Sequence, residues 1–460
     1  MTPAALDSLG KQELVALVLA LLEQVAVLTA RVAELEARSG GPPKTPDNSS
    51  LPPSRGWKAE RPSRPGKPRK GRAGVARDLC ADPDHVLAIH AQTCAACGHG
   101  LAPADQPTVA RAYDHIDLPP IKAVTTRIHL HRGACPRCGA RVTAAAPGDM
   151  AAGSPLILSL PKGGPGVVAL VAYLHARHMV SYERLVEMLK GLFGLAISEG
   201  AIANMLARAA EPFAAEAARI EAAVRQAPVI ACDETSARVA GQTCWQWVFG
   251  SAAAVAHRIA ITRGAAVVAD FLQGAVPEVW VSDRYAAQMG HAAAHQVCLA
   301  HLLRDARYAI DAGDATFAPG FEALLRRALA IGRRRDELTD ATLLAHRREL
   351  ERRLDRLLSL APATRQGRKL RNGIAKCKGK LFVFVTRRDA PPTNNASERA
   401  LRPSVIFRKV TNGFRSAWGA AFDADVRSVI ATGALNGRTA LDAIRTCLDG
   451  RSVLASEPSG

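Results

Sequence analysis

The chain has 460 residues, too many for one hydrophobic core and enough for about two to four domains. Lysine and arginine outnumber aspartate and glutamate by 60 to 42, a formal charge of +18 with a pI near 9.9. With 48% hydrophobic residues the chain is not a disordered polyelectrolyte; its excess of cations points to a polyanionic partner, most simply nucleic acid, although a ribosomal or anionic-membrane surface would select the same excess.

Residues 1–39 read as a coiled-coil helix. Leu14, Leu21, Leu28 and Leu35 recur every seven residues, with Val18, Val25 and Val32 at the complementary position. β-Branched residues at a and leucine at d favour a parallel pair of helices, hence a homo-oligomer; the alternative is one amphipathic helix docked on its own chain. The apolar run 15–22 falls short of the ~20 residues that span a bilayer. Asp7, Lys11 and Glu13 precede it, instead of the basic start of a secretory signal. The expectation is a cytoplasmic protein whose ten cysteines are thiols or metal ligands, not disulfides.

Residues 40–76 form a basic Pro/Gly-rich linker. Pro42-Pro43-Lys44-Thr45-Pro46-Asp47-Asn48-Ser49-Ser50 gives way to Arg61, Arg64, Lys67, Arg69, Lys70 and Arg72 among prolines and glycines. Such a segment cannot bury a core and is expected to be extended, as a tether or as a basic arm along a DNA groove.

Residues 77–150 carry the clearest local motif, Cys94-x2-Cys97 with Cys135-x2-Cys138. Two such pairs supply the four thiolates of a closed, structural zinc site, and Gly98 and Gly139 follow directly to make the tight turns. With alternation over 124–131 this predicts a zinc ribbon with a long insert. His99, His129 and His131 are expected to face solvent or phosphate. Residues 151–226 are predicted helical: 167–178, then 182–192 closed by Gly194, then a third helix opening at Ser198 and running to Val224 despite Pro212. The pattern fits a helix-turn-helix-like DNA-binding segment or a helical spacer.

Residues 227–292 open an α/β domain. The apolar run 228–232 ends in Asp233-Glu234-Thr235; 245–249 and 256–261 are the next strands, 265–272 is a helix, and 278–281 is a strand ending in Ser282-Asp283. Three strands, a helix and a strand is the opening order of an RNase H-like fold, in which the first and fourth strands are neighbours. Asp233 and Asp283 would then meet, and adjacent carboxylates repel unless a cation lies between them. Residues 293–390 are expected to be a helical insertion that interrupts the sheet. Its first helix spans 296–304, with Cys298 and His301 on one face, the cysteine in the core and the histidine capping or facing phosphate. Its later arginines form a solvated face or a DNA-contact surface.

Residues 391–450 complete the domain. Asn394 or Asn395 caps a short helix that Pro403 stops, which puts Glu398 early on it with Arg399 and Arg402 beside it. Alone, this reads as a capped helix with a Glu398–Arg402 ion pair or as a metal-binding carboxylate among cations. Two helices follow, 423–435 and 440–448.

Taken together, the Pro-Pro-Lys-Thr-Pro-Asp-Asn-Ser-Ser linker, the four-cysteine ribbon, Asp-Glu-Thr, Ser-Asp-Arg-Tyr, Cys-Leu-Ala-His-Leu-Leu-Arg and Asn-Asn-Ala-Ser-Glu-Arg-Ala-Leu-Arg-Pro resemble the transposases of the insertion sequence 66 family, a prokaryotic DDE type. The resemblance runs nearly end to end. It departs at Gln288, where relatives often carry an aromatic residue, and at Leu299, in place of a common tryptophan. It implies that Asp233, Asp283 and Glu398 are the catalytic carboxylates and hold Mg²⁺ (or Mn²⁺), beside a structural Zn²⁺ on Cys94, Cys97, Cys135 and Cys138. Arg399, Arg402, Arg408 and Lys409, with His301 and Arg304, would contact DNA phosphates. The implied fold is multidomain α+β with an RNase H-like catalytic domain. The implied activity is metal-dependent cleavage and strand transfer at element ends and target DNA, in a nucleoid-associated enzyme with accessory proteins among its expected partners. The alternative is a zinc-ribbon DNA-binding regulator, or an inactive copy, without catalysis.

Overall fold

The computed structural model describes residues 10–38, 42–49, 78–118, 123, 127–145 and 166–454. It is a mixed α/β structure, 52% helical, with one mixed sheet. Among the described residues no helix is long and apolar enough to cross a membrane.

Helix α1 (Lys11–Arg38) is continuous, and Val18, Leu21, Val25 and Leu28 along it are each at least half exposed. The linker departs from expectation. Residues 42–49 are not extended but form a compact turn: the Thr45 amide donates to Asn48 Oδ1 (2.7 Å) and Ser49 Oγ to the Thr45 carbonyl (2.6 Å). Asn48 is buried and reaches across 263 positions to Asp311 Oδ2 (3.1 Å). An asparagine satisfies its own turn and still has an amide hydrogen to spare, which suits it to this clip. The basic stretch from Arg61 to Arg72 lies outside the described residues.

In the cysteine-rich segment two short strands, β1 (Arg132–Ala134) and β2 (Arg141–Thr143), pair antiparallel around the second cysteine pair. They start after the stretch expected to be strands; residues 127–131 are irregular and exposed, and 124–126 lie outside the described residues.

The helical segment holds α2 (Val167–Ala172), which loosens into a π-helical turn over Tyr173–Arg177, then α3 (Tyr182–Phe193), α4 (Glu199–Arg208) and α5 (Ala210–Arg225). Gly194 ends α3 in the left-handed conformation (φ 65°), and Ser181 and Ser198 cap α3 and α4. The third expected helix is therefore two, broken at Ala209. Pro212 falls in the first turn of α5, where the missing N–H has no partner to lose.

The sheet runs in the order β5-β4-β3-β6-β7, from β3 (Val229–Val239), β4 (Gln242–Gly250), β5 (Val255–Ala260), β6 (Val279–Ser282) and β7 (Ala294–Val297). β3 pairs antiparallel with β4 and parallel with β6. Helix α6 (Ala265–Leu272) makes the crossover between β5 and β6. First and fourth strands of the sheet are thus neighbours, as the element order implies. Two expectations change. β3 does not end at Asp233 but continues to Val239, because its hairpin with β4 carries on after the parallel pairing stops at Ala231. Residues 296–297, expected to be helical, belong to β7, and the helix begins only at Leu299.

Alternation divides the strands between two cores. Ile230, Cys232, Trp247, Phe249 and Trp280 face one side, covered by α2 to α5 and by the two C-terminal helices. Ala231, Val279, Val281 and Val297 face the other, covered by α7 (Leu299–Asp311), α8 (Ala318–Arg333), α9 (Asp340–Leu358) and α10 (Arg365–Ala375). The inserted helices therefore share a core with the sheet instead of standing apart from it. Helix α11 (Asn395–Thr411) does not stop at Pro403 but passes through it. Buried Leu401, Ser404 and Phe407 keep it docked although Pro403 offers no hydrogen bond to the Arg399 carbonyl. α12 (Ala417–Leu435) and α13 (Ala440–Leu448) close the fold.

Candidate active site

β3 and β6 pair with a constant offset, Val229 with Val279 through Ala231 with Val281. Continued two residues, that offset sets Asp233 level with Asp283, on the face that α7 covers. Asp233 is mostly buried, and its carboxyl is pushed from 3.8 up to about 8 by desolvation, then by Glu234, Asp283 and Glu398, against one backbone hydrogen bond. Asp283 and Glu398 thus each lie within electrostatic reach of Asp233. Asp283 is fixed by its own loop, its Oδ1 accepting from the Tyr285 amide (2.8 Å).

Glu398 arrives from the far end of the chain. The Leu299 amide donates to the Pro392 carbonyl (3.0 Å), the Asn394 amide to Cys298 Sγ (3.1 Å), and Asn394 Nδ2 to the Cys232 carbonyl (2.7 Å). Asn394 is the N-cap of α11, but its side chain makes no capping bond. It ties the start of the helix to the residue before Asp233. Cys298, at the head of α7, is fully buried and serves the same junction. The far end of α11 is tied to the same strand, through Arg408 Nη1 donating to the Ser236 carbonyl and hydroxyl. Glu398 then meets Arg304 Nη2 (3.3 Å) and His301 Nε2 (3.6 Å) from α7, not Arg402. Burial, then Arg304, lowers the pKa of His301 and favours its neutral form. His301 Nδ1, Arg304 Nε and Asn394 Oδ1 are buried without a partner among the described residues, an unusual concentration of unsatisfied polar atoms around one carboxylate.

A second ring of residues was not legible in advance. Glu234 is buried, receives Arg263 Nε (2.7 Å) and is hydrogen-bonded by Gln288 Nε2. Desolvation raises its pKa, and Arg263 opposes the rise. The Arg263 guanidinium lies 3.9 Å from the Tyr285 ring centre and 4.9 Å from that of Trp245. Tyr285 in turn donates to the Arg263 carbonyl (3.0 Å). Glu234, Arg263, Gln288 and Tyr285 thus lock the Asp233 strand to the Asp283 loop. Gln288, the departure from the expected aromatic, also accepts from Trp280 Nε1 (3.4 Å). A charged residue amid an apolar strand was the available signal for Glu234; nothing local marks Arg263.

Of the remaining expected phosphate contacts, Arg399, Arg402 and Lys409 are exposed, whereas Arg408 is half-buried and engaged with Ser236. The arginines of the insertion are in good part neutralised along their own helices, Arg326 by Glu322, Arg347 by Glu351, and Arg352 and Arg353 by Glu349.

Asp233 and Asp283 are oxygen donors of the kind a hard divalent cation takes, and desolvation, with the neighbouring carboxylates, raises the Asp233 pKa to about 8 in the absence of such a cation. Glu398 is engaged by Arg304 and His301, and among the described residues no group of three or more His, Cys, Asp or Glu is arranged to hold a metal ion. The two cysteine knuckles are each built, with Gly98 (φ 74°) and Gly139 (φ 71°) closing turns in which the Cys94 amide reaches the His99 carbonyl and the Cys135 amide the Ala140 carbonyl, both 2.8 Å. Backbone amides lower the pKa of Cys94 and of Cys135, each also helped by the second cysteine of its pair, which suits thiolate ligands. Each half fits zinc, but the structure does not gather the four sulfurs. His99, His129 and His131 are exposed.

No curated protein matches the chain. Residues 162–422, more than half of its length, match the family described as "Transposase IS66 family". That span runs from the helical segment through the sheet and the inserted helices past Glu398, so the chain belongs to the IS66 family of transposases.

Proposed function

We propose that this transposase cuts and joins DNA by metal-dependent phosphoryl transfer, with Asp233, Asp283 and Glu398 as its catalytic carboxylates. What supports the reading is the offset of the parallel strands β3 and β6, which, continued past their pairing, sets Asp233 level with Asp283, together with the Asn394 anchor that ties the start of the Glu398 helix to the Asp233 strand. A bound pair of Mg²⁺ (or Mn²⁺) ions would supply Lewis acidity for the attacking and leaving oxygens. Asp233 and Asp283 would hold the ions from β3 and from the loop that follows β6. Glu398 would hold metal together with the two aspartates, and its present partners Arg304 and His301 would then be placed to meet phosphate oxygens. In the first step water forms a bond to phosphorus and the 3′ oxygen at the element end leaves as a hydroxyl. In the second, that hydroxyl attacks a target phosphodiester and displaces its 3′ oxygen. Arg399, Arg402 and Lys409 hold the strand by charge without reading sequence.

The remaining assignments belong to the same reading: a structural zinc on Cys94, Cys97, Cys135 and Cys138, end recognition through the ribbon and α3–α4, assembly through α1, a nucleoid location, and accessory proteins as possible partners. The test is a cleavage and strand-transfer assay on element-end duplex. Glu398→Gln should lower the rate by at least about a hundredfold, the scale on which removal of a preorganised electrostatic group slows an enzyme, while duplex binding persists. Full activity in that variant would remove the assignment.

A further inference from the structure

A cavity of about 870 Å³ opens between the 42–49 turn and helices α7 and α10, next to the candidate site. Arg284, which follows Asp283 directly, forms part of its wall. Its guanidinium is paired with Asp305 of α7 and passes over Gly373 of α10, where a Cβ would come within 2.7 Å of Nη1. The cavity's one acidic wall residue among the described residues is thereby already used. Lys44 from the turn, Lys369 from α10 and Lys376 at the C-cap of α10 also line it; all three are exposed and form no ion pair among the described residues. This differs from the outer face of the insertion, where glutamates a turn away neutralise the arginines. Lys369 and Lys376 lie two helical turns apart on one face, about 10 Å along the axis. That is roughly the axial run of three phosphate-to-phosphate steps on one strand.

We propose that this cleft is a binding site for the phosphodiester backbone of DNA. Lys44, Lys369 and Lys376 are its phosphate contacts, and the linker turn, clipped by Asn48 to Asp311, is its outer wall. The inference rests on the transposase reading and deepens it: the backbone runs past Arg284 to the Asp283 end of the site. It also gives the linker a task. The segment that leaves the coiled-coil helix becomes part of the DNA-binding surface of the same chain.

The experiment uses the full-length protein and a fluorescein-labelled duplex of arbitrary sequence, without metal, because phosphate contacts are blind to sequence. Fluorescence anisotropy gives Kd across a salt series. Changing Lys44, Lys369 and Lys376 together to Gln should lower the slope of log Kd against log salt by about 2–3, near 0.9 for each phosphate no longer neutralised. Asn48→Asp, which sets a carboxylate against Asp311, should release the turn and lower the slope by about 1, the share of Lys44. Slopes equal to wild type in both variants overturn the cleft, whatever the catalytic outcome. Metal-dependent nicking of element-end DNA is measured alongside. Reduced slopes in the variants with no nicking by wild type support the cleft and overturn the transposition chemistry.

Discussion

Asp233 is held between opposing demands. In the proposed role it holds a divalent cation, and without one it is a largely desolvated carboxyl among like charges. The folded protein binds its proton more tightly than the unfolded chain does. Its contribution to stability is therefore complete below about pH 4 and lost as pH rises through about 8. In metal-free buffer, the melting temperature of wild type should fall across that window relative to Asp233→Asn, which has no proton to lose. Saturating Mg²⁺ should close the gap. Thermal melts at a series of pH values read this directly, and parallel curves for the two proteins would contradict it.

At the scale of elements, helix α11 shows how a helix becomes a positioning device. Sequence rules give it a cap at Asn394 or Asn395 and a stop at Pro403. Instead Asn394 directs its amide to the Cys232 carbonyl, and the helix continues past the proline because Arg408 secures its far half to Ser236. The two cysteine knuckles are the opposite case. Local turn geometry alone builds them, so their chemistry does not depend on the sheet. The protein purified with its metal should contain about one zinc ion per chain. Cys94→Ser or Cys135→Ser should each lower that content by more than half, measured by atomic absorption. Unchanged zinc in both would place the ion elsewhere.

For the whole molecule, the proposed assembly through α1 rests on its apolar stripe. Val18, Leu21, Val25 and Leu28 are exposed along a continuous helix whose heptad favours two strands. Leu21→Lys with Leu28→Lys should convert an oligomer into a monomer in sedimentation equilibrium, with the far-UV spectrum losing about the signal of that one helix. An unaltered mass would show that assembly lies elsewhere. Assembly matters to the proposed cleft, because the linker turn that follows α1 closes it on one side.

Much of the site could be read in one dimension. Asp233 and Asp283 each follow an apolar run, and the order of those runs makes the strands neighbours, although β3 continues past Asp233; Glu398 stands out among asparagines and arginines. The cysteine pairs and the heptad are likewise local spacings that declare their own geometry. What the chain order could not say is what those residues touch. That Glu398 pairs with Arg304 and not Arg402, that Glu234 and Arg263 lock the two aspartate segments together, and that Asn48 reaches Asp311 all depend on contacts across tens to hundreds of positions. Periodicity reports which face of an element is buried. It carries no information about which distant element does the burying, and here that choice decided the site.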